Sequence, residues 1–340
     1  MKERFSLLRF KKTLKVLLVV FSSLFAMLTV EVILRVFHPI HYRKPPRPLP
    51  GNVWCDLLHR KSDIPGLSYE LAPNREKKIN WWTIRTNSHG MRGDEPLGGD
   101  KVSRIAVLGD SYTFGSGVNG EDTYSTRLEQ ILNQETDDVR YDVLNFGVGG
   151  YSTRDEAIVF QYKVRKWKPD LVILGYYFND PEIEPIQPLH EYFQRTSWWQ
   201  HFHVFRQIAK SYREYKIQKY GGGDYFRYLH YPKGRPWKSV VNAFAKIDEL
   251  RREDNIPVLV LIFPVMTGIQ WKAYRYQDLH RQVSAAARSV GFDVIDLYDR
   301  FSKVGQKMLM VSPKDGHPNK LAHELVARVV SEWLQRSRDD

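Results

Sequence analysis

A short run in which an apolar segment stops at a polar turn decides the fold: Ile105-Ala106-Val107-Leu108-Gly109-Asp110-Ser111-Tyr112-Thr113-Phe114-Gly115. The apolar residues that open it predict a buried β-strand. Because open α/β sheets keep their chemistry at the carboxyl ends of their strands, Ser111 is a candidate nucleophile. A serine hydroxyl is inert without a base and an oxyanion hole, so other parts of the chain must supply both.

From Arg104 onward, buried strands alternate with amphipathic helices. The predicted strands cover residues 104–108, 141–145, 171–174, 257–263 and 292–297. The predicted helices cover 123–133, 239–252 and 276–290; a further helix opens at a capping box, Thr153–Glu156, and a last one is capped by Asn319. Strands that are apolar throughout are typical of a parallel sheet covered on both faces. We therefore predict an α/β fold, a flavodoxin-like three-layer sandwich with a mainly parallel five-stranded sheet.

The N-terminus predicts a membrane anchor. Residues 1–15 form a basic tail, and residues 16–37 form an apolar segment whose uncharged part runs from Val16 to Val30. With snorkelling ends this segment is long enough for a transmembrane helix. We favour an uncut anchor because no clear small-x-small cleavage site follows, and a cleavable signal peptide is the alternative. The basic flank predicts a cytoplasmic N-terminus and a catalytic domain on the extracytoplasmic, periplasmic side.

The rest of the chain divides by composition. Residues 38–50 are a proline-rich linker, which predicts a stiff spacer leaving the membrane. Residues 51–340 form one predicted domain, in which 51–100 is an N-terminal embellishment without a strong period and 181–238 is an insertion of the kind that forms lids or binding loops.

Net charge and cysteine content limit the classes of ligand and partner that the sequence predicts. The net charge is +12, but we do not expect an extracytoplasmic domain to bind nucleic acid. A solvated basic surface is the preferred interpretation of this charge, and anionic lipid or acidic polysaccharide is the alternative. The single cysteine, Cys55, excludes a disulfide scaffold and thiol metal sites. His201 and His203 lack further ligands at suitable spacing, so we predict neither a metal site nor a cofactor.

Four polar clusters follow predicted strands and should meet at one edge of the sheet. Ser111 follows the first strand, the glycine-rich run from Asn145 to Tyr151 follows the second, and Phe178-Asn179-Asp180 follows the third. Asp315-Gly316-His317-Pro318 follows the fifth strand after a longer loop.

Each cluster offers a role in acyl transfer. Ser111 is the predicted nucleophile, His317 the base that takes its proton, and Asp315 the group that orients the imidazole. The backbone N–H groups of Ser111 and Gly150 and the side-chain amide of Asn179 are the predicted oxyanion donors.

This set resembles the SGNH (GDSL) hydrolase family. Gly109 to Gly115 is similar to its first block, Asn145 to Gly150 to the second, Gly175 to Asp180 to the third, and Asp315 to Asn319 to the fifth. The family usually places two residues between the Asp and the His, and here there is one. The anchor followed by Asn87-Ser88-His89-Gly90-Met91-Arg92 also resembles membrane-tethered bacterial members, which implies a link to acyl groups on surface glycans.

The sequence thus predicts a membrane-tethered serine esterase or deacylase that forms an acyl-serine and acts on an O-acylated glycan or a small ester. An O-acyltransferase acting on surface polysaccharide uses the same groups and remains an alternative, as does a non-catalytic glycan-assembly protein. A lipase is a further alternative, although the insertion shows no strongly apolar lid helix. A membrane protein for acyl transfer or polysaccharide export is a candidate partner.

Overall fold

The computed structural model describes residues 2–37, 58–99, 101–135, 139–183, 202–267 and 271–339. The predicted linker over residues 38–50, Cys55 and His201 lie outside the described residues.

The described residues form the following elements. The strands are β1 (His59–Lys61), β2 (Tyr69–Leu71), β3 (Arg75–Ile79), β4 (Trp82–Thr86), β5 (Val102–Gly109), β6 (Arg140–Asn145), β7 (Leu171–Tyr176), β8 (Val258–Ile262), β9 (Asp293–Asp296), β10 (Met310–Ser312) and β11 (Asp315–Pro318). The α-helices are α1 (Lys2–Phe37), α2 (Ser111–Phe114), α3 (Tyr124–Glu135), α4 (Thr153–Tyr162), α5 (His203–Gly221), α6 (Tyr225–Leu229), α7 (Arg235–Asp254), α8 (Gln277–Ser289), α9 (Tyr298–Val304), α10 (Gln306–Leu309) and α11 (Lys320–Asp339).

The central sheet has five parallel strands in the order β6-β5-β7-β8-β9. In chain order this is 2-1-3-4-5, the flavodoxin-like arrangement that the sequence predicts. Such a sheet opens a crevice where the strand order reverses, beside its first strand. Here that strand is β5, so the residues after Gly109 lie at the mouth of the crevice.

Alternation along β5 divides the core between two helical layers. Ile105 and Val107 pack with residues of α3 and α11, such as Leu128 and Val326. Ala106 and Leu108 point to the other face and join the cluster that contains residues of α4, α7 and α8. Because side chains of a strand alternate between faces, one continuous apolar run covers both sides of the sheet.

Residues 58–99 form two antiparallel pairs, β1 with β2 and β3 with β4, where the sequence predicted no regular pattern. Tyr69 and Ile84 from these pairs are fully buried in the core. The strands are too short to show a clear alternation in sequence, and tertiary packing makes them regular. An isolated bridge between Arg92 and Asn145 fastens this segment to the edge of the sheet at β6.

Helix α4 begins one residue away from the predicted capping box. Ser152, not Thr153, is the N-cap: its hydroxyl accepts from the Asp155 N–H, and the Asp155 carboxylate accepts from the Ser152 N–H. Thr153 is instead the first helical residue and is fully buried. Either Ser152 or Thr153 could serve as N-cap by the sequence pattern alone. Because Thr153 is buried within the fold, Ser152 takes this position.

The N-terminal helix is long and apolar enough to cross a membrane. Between Lys11 and Phe37 its mean hydropathy reaches 2.5, and its apolar side chains are exposed. A signal sequence near an N-terminus also meets this criterion of length and apolar composition. The predicted insertion contains α5 and α6, which precede α7.

Candidate active site

Ser111 opens a one-turn helix directly beyond β5. Asp110 caps this helix: its Oδ1 accepts a 2.8 Å hydrogen bond from the Tyr112 N–H. The cap turns the chain sharply at the end of the strand, so the serine side chain stands at the sheet edge and not within the sheet.

The side chains of Ser111, His317 and Asp315 form one chain of hydrogen bonds. Ser111 Oγ lies 2.9 Å from His317 Nε2, and His317 Nδ1 lies 2.5 Å from Asp315 Oδ1. With the Nδ1 proton shared with the carboxylate, Nε2 is the ring nitrogen left to accept the serine proton. The hydrogen bond with His317 also lowers the pKa of Asp315 below its ordinary value, which keeps this carboxylate charged.

The segment after β9, predicted as a longer loop, forms the short helices α9 and α10 and then carries His317 on a β-hairpin that the sequence did not predict. Strands β10 and β11 pair across a turn, with Met310 opposite Pro318. Asp315 and His317 are two apart on β11, so their side chains fall on the same face of the strand. Gly316, between them, accepts a hydrogen bond at its carbonyl from the Tyr112 hydroxyl. With only one residue between them, Asp315 and His317 are therefore still in direct contact.

Asp110 is a second acidic neighbour of the serine. It is fully buried, and its Oδ2 lies 3.2 Å from Ser111 Oγ. Burial raises the pKa of the Asp110 carboxyl, while the Tyr112 N–H, the His317 ring and Asn179 act in the opposite direction. The serine hydroxyl thus lies between an imidazole and a buried carboxyl group.

The loop after β6 is held against the serine helix by Asn145. Its side-chain N–H donates to the Thr113 carbonyl and its Oδ1 accepts from the Gly147 N–H. A Cβ on Gly147 would come within 2.5 Å of the Phe114 nitrogen, so only glycine permits this approach. The Val148 N–H donates to the carbonyl of Gly109, the last residue of β5, and Gly150, with φ +84°, follows Val148 by two residues in this loop.

Asn179 follows β7 on the other side of β5. Its side chain hydrogen-bonds Asp110, and among the described residues its Oδ1 has no hydrogen-bond partner. Asp180, next to it, is buried, and its carboxylate accepts from the Tyr177 N–H. Burial raises the pKa of Asp180 well above its usual range, and the nearby Glu156 carboxyl acts in the same direction.

Arg92 is a site residue whose role the sequence did not predict. Its buried guanidinium donates to the carbonyls of Phe114, Gly115 and Val118 and lies 4.5 Å from the Phe114 ring. The carbonyls of Phe114 and Gly115 lie at the end of the helix that begins at Ser111, and Val118 follows in the next turn, so Arg92 fixes the far end of this helix. The only signal in the sequence is the short motif from Asn87 to Arg92.

A profile of the GDSL-like lipase/acylhydrolase family matches residues 107–325. The match covers more than half of the chain and includes every polar cluster described above. The chain belongs to the GDSL-like lipase/acylhydrolase family. Membership identifies it as a serine hydrolase that acts on ester bonds, in agreement with the resemblance found in its sequence. A comparison with curated protein sequences found no significant match.

Solved structures of esterases share the general arrangement at low identity. An acetyl xylan esterase, AlAXEase, is 18% identical with a TM-score of 0.43, covering 67% of this chain and 98% of its own. An acetylxylan esterase of Geobacillus stearothermophilus, Axe2, is 17% identical with a TM-score of 0.40, covering 69% and 94%. A two-domain esterase active on acetylated mannans is 16% identical with a TM-score of 0.44, covering 70% and 50%. At these identities the likeness carries no information about the substrate of this chain.

Proposed function

We propose that the protein is a membrane-tethered, extracytoplasmic serine esterase that works through an acyl-serine intermediate, with Ser111, His317 and Asp315 as its catalytic residues. The observation that carries this proposal is the continuous contact from Ser111 Oγ through both ring nitrogens of His317 to Asp315 Oδ1. A nucleophile, a base and a group that orients the base are the three parts that acyl transfer by serine needs.

In the first half of the reaction, Ser111 Oγ attacks the ester carbonyl and His317 Nε2 accepts the hydroxyl proton. His317 then gives this proton to the leaving alcohol as the C–O bond breaks, which leaves an acyl-serine. In the second half, His317 takes a proton from water as the water oxygen attacks the acyl carbon, and His317 returns that proton to Ser111 Oγ as the C–Oγ bond breaks, which releases the acid and restores the serine. Asp315 stabilises the imidazolium present in both halves.

Negative charge on the carbonyl oxygen requires donors that are already in place. In this proposal they are the backbone N–H groups of Ser111 and Gly150 and the side-chain amide of Asn179. The amide carries two N–H bonds, so it can keep its hydrogen bond to Asp110 and still offer one to the substrate.

The first test is labelling of the full-length protein with a fluorophosphonate probe, followed by hydrolysis of an ester panel. The panel contains p-nitrophenyl acetate, acetylated oligosaccharides and long-chain esters. We expect wild-type protein to be labelled at Ser111, and Ser111→Ala and His317→Asn to lose labelling and hydrolysis. A folded wild-type protein that is not labelled would contradict the assignment.

We further propose that the substrate is an O-acylated glycan or a small ester, and that water is the acyl acceptor. Incubation with an acyl donor, with and without glycan, separates hydrolysis from transfer: free acid is the expected main product. Predominant acylation of the glycan would instead identify an O-acyltransferase.

The proposed location rests on the charge of the N-terminus. The basic residues that precede the apolar part of α1 favour a cytoplasmic N-terminus and a catalytic domain outside the cytoplasm. Protease treatment of intact spheroplasts is expected to digest the catalytic domain while leaving a tag on the N-terminus protected. Protection of the domain, or a mature protein that lacks α1, would contradict the proposal.

A further inference from the structure

Glu31, an acidic residue near the C-terminal end of the apolar helix α1, is buried by protein. Between Lys11 and Phe37 every side chain is exposed except Glu31 and Leu34. Glu31 is only 6% exposed, and three groups share its carboxylate: Arg35 Nε at 2.7 Å, His203 Nδ1 at 3.2 Å and the Val204 N–H at 3.0 Å. A carboxylate at this position therefore holds the first turn of α5.

This contact sets the level at which α5 begins. Glu31 directly follows Val30, where the uncharged run of α1 ends, so the first turn of α5 lies at the boundary of a bilayer that α1 spans. Because the side chains from Lys11 to Val30 are exposed, α5 does not run along this part of α1. Helix α5 leaves the anchor at the level of the lipid headgroups.

The outer face of α5 is apolar where a surface helix is normally polar. Ile208, Tyr212 and Tyr215 follow the i, i+4, i+7 spacing of one helix face and are 59%, 60% and 54% exposed. The opposite face packs on protein: a Cβ on Gly221 would meet Tyr228 of α6 at 2.7 Å. The exposed stripe is thus not an unburied core face.

The charges of α5 match an anionic surface. The helix contains five lysine and arginine residues and one acidic residue. Lys216 Nζ lies 4.9 Å from the Tyr212 ring, and Lys219 Nζ lies 5.5 Å from the Tyr215 ring. Tyrosine and lysine together are typical of helices that lie at the headgroup level, where cations are attracted to anionic lipid.

We propose that α5 is a second membrane contact, an interfacial helix whose stripe of Ile208, Tyr212 and Tyr215 enters the headgroup–acyl boundary of an anionic bilayer while Glu31 holds its first turn at the anchor. This proposal rests on the part of the proposed function that keeps α1 as an uncut anchor. It gives the catalytic domain two points of attachment, which restricts its rotation about the linker.

The test uses the full chain in a Cys55→Ser background, reconstituted in vesicles of phosphatidylethanolamine and phosphatidylglycerol. A single cysteine replaces Tyr212, Glu214 or Val241 and carries an environment-sensitive fluorophore. Glu214 is the matched control on the same helix, because two residues turn it about 200° away from Tyr212. Val241 is an exposed apolar residue on α7.

We expect lipids with a quencher near the headgroup to reduce the signal at position 212 several-fold more than at 214 or 241. Replacing phosphatidylglycerol with phosphatidylcholine should reduce this difference, and Glu31→Ala should reduce it in either lipid.

Equal quenching at all three positions in protein that floats with the vesicles would overturn the proposal for α5 alone. Protein that does not float would overturn it together with the anchor, while hydrolysis of soluble esters would continue to report separately on the active site. Protection of position 212 from both lipid and aqueous quenchers would indicate a protein partner instead and would also overturn it.

Discussion

Asp315 Oδ1 lies 2.5 Å from His317 Nδ1 although one residue separates the two in sequence. The contact exists because both side chains leave the same face of β11, where residues two apart are neighbours. The Asp315 carboxylate also accepts from the His317 backbone N–H at 3.1 Å. The strand geometry of β11 thus allows the carboxylate to contact the imidazole with one intervening residue instead of two.

The first prediction concerns Asp315. Asp315→Asn should keep the shape of the site but remove the charge that stabilises the imidazolium and selects its tautomer. We expect kcat to fall by about 10²–10⁴-fold with little change in KM. Steady-state kinetics on a soluble ester measures this. Lys314→Ala, an exposed neighbour, is the control, and an Asp315→Asn variant within a factor of two of wild type would rule out the role.

Asn179 should act mainly on the transition state. Asn179→Ala removes one proposed oxyanion donor, and we expect kcat to fall by about 10²–10³-fold. Because Asn179 also contacts Asp110, the melting temperature must be recorded beside the kinetics. A loss of activity that only follows a loss of folded protein would show that the residue is structural and not a donor.

Arg92 should affect both stability and rate. Arg92→Met removes the donor of three buried backbone carbonyls, and leaving such groups unpaired costs about 1–3 kcal/mol each. We expect unfolding at clearly lower denaturant concentration and a lower kcat, because the helix that carries Ser111 loses its support. Arg92→Lys should restore little of the stability or rate, since an ammonium group cannot reproduce the forked guanidinium that reaches three carbonyls at once.

The matched control for Arg92 is Arg85→Met on the neighbouring strand. The Arg85 side chain is 71% exposed and pairs with an exposed glutamate, Glu76, so this change should be nearly neutral. Similar losses for both variants would contradict a specific role for Arg92.

The fourth prediction is a loss of stability in mild acid. Burial lowers the pKa of His323 to about 3 and that of His230 to about 4. In the unfolded chain both rings titrate near pH 6.5, so between about pH 4 and 6.5 the unfolded state binds more protons and stability falls as pH falls. Each histidine contributes about 1.4 kcal/mol per pH unit in this range.

Denaturant unfolding of the detergent-solubilised protein at several pH values between about 4 and 6.5 measures how steeply the free energy of unfolding depends on pH. His323→Asn retains an acceptor for the Tyr124 N–H and removes one titrating group, so its stability should depend less steeply on pH than that of wild type. Identical slopes for the two proteins would contradict the assignment of a neutral, buried His323.

Much of the fold was predictable because its signals are local. Each of the five parallel strands lies within about two residues of its predicted position, since a strand buried on both faces is a continuous apolar run. The short pairs β1–β2 and β3–β4 and the hairpin β10–β11 were not predicted, because strands of three to five residues show too little alternation to stand out from a loop.

By itself, the sequence determined the α/β class, the serine at the end of β5 and the polar clusters expected beside it, because each depends on neighbouring residues. Only the tertiary structure decided that Ser111 touches His317, which lies 206 residues away, that Asp315 reaches the same ring, and that Arg92 and Glu31 hold distant helices. Such contacts join residues across the whole chain, and their geometry depends on sheet register, hairpin pairing and burial, none of which is encoded in a short window.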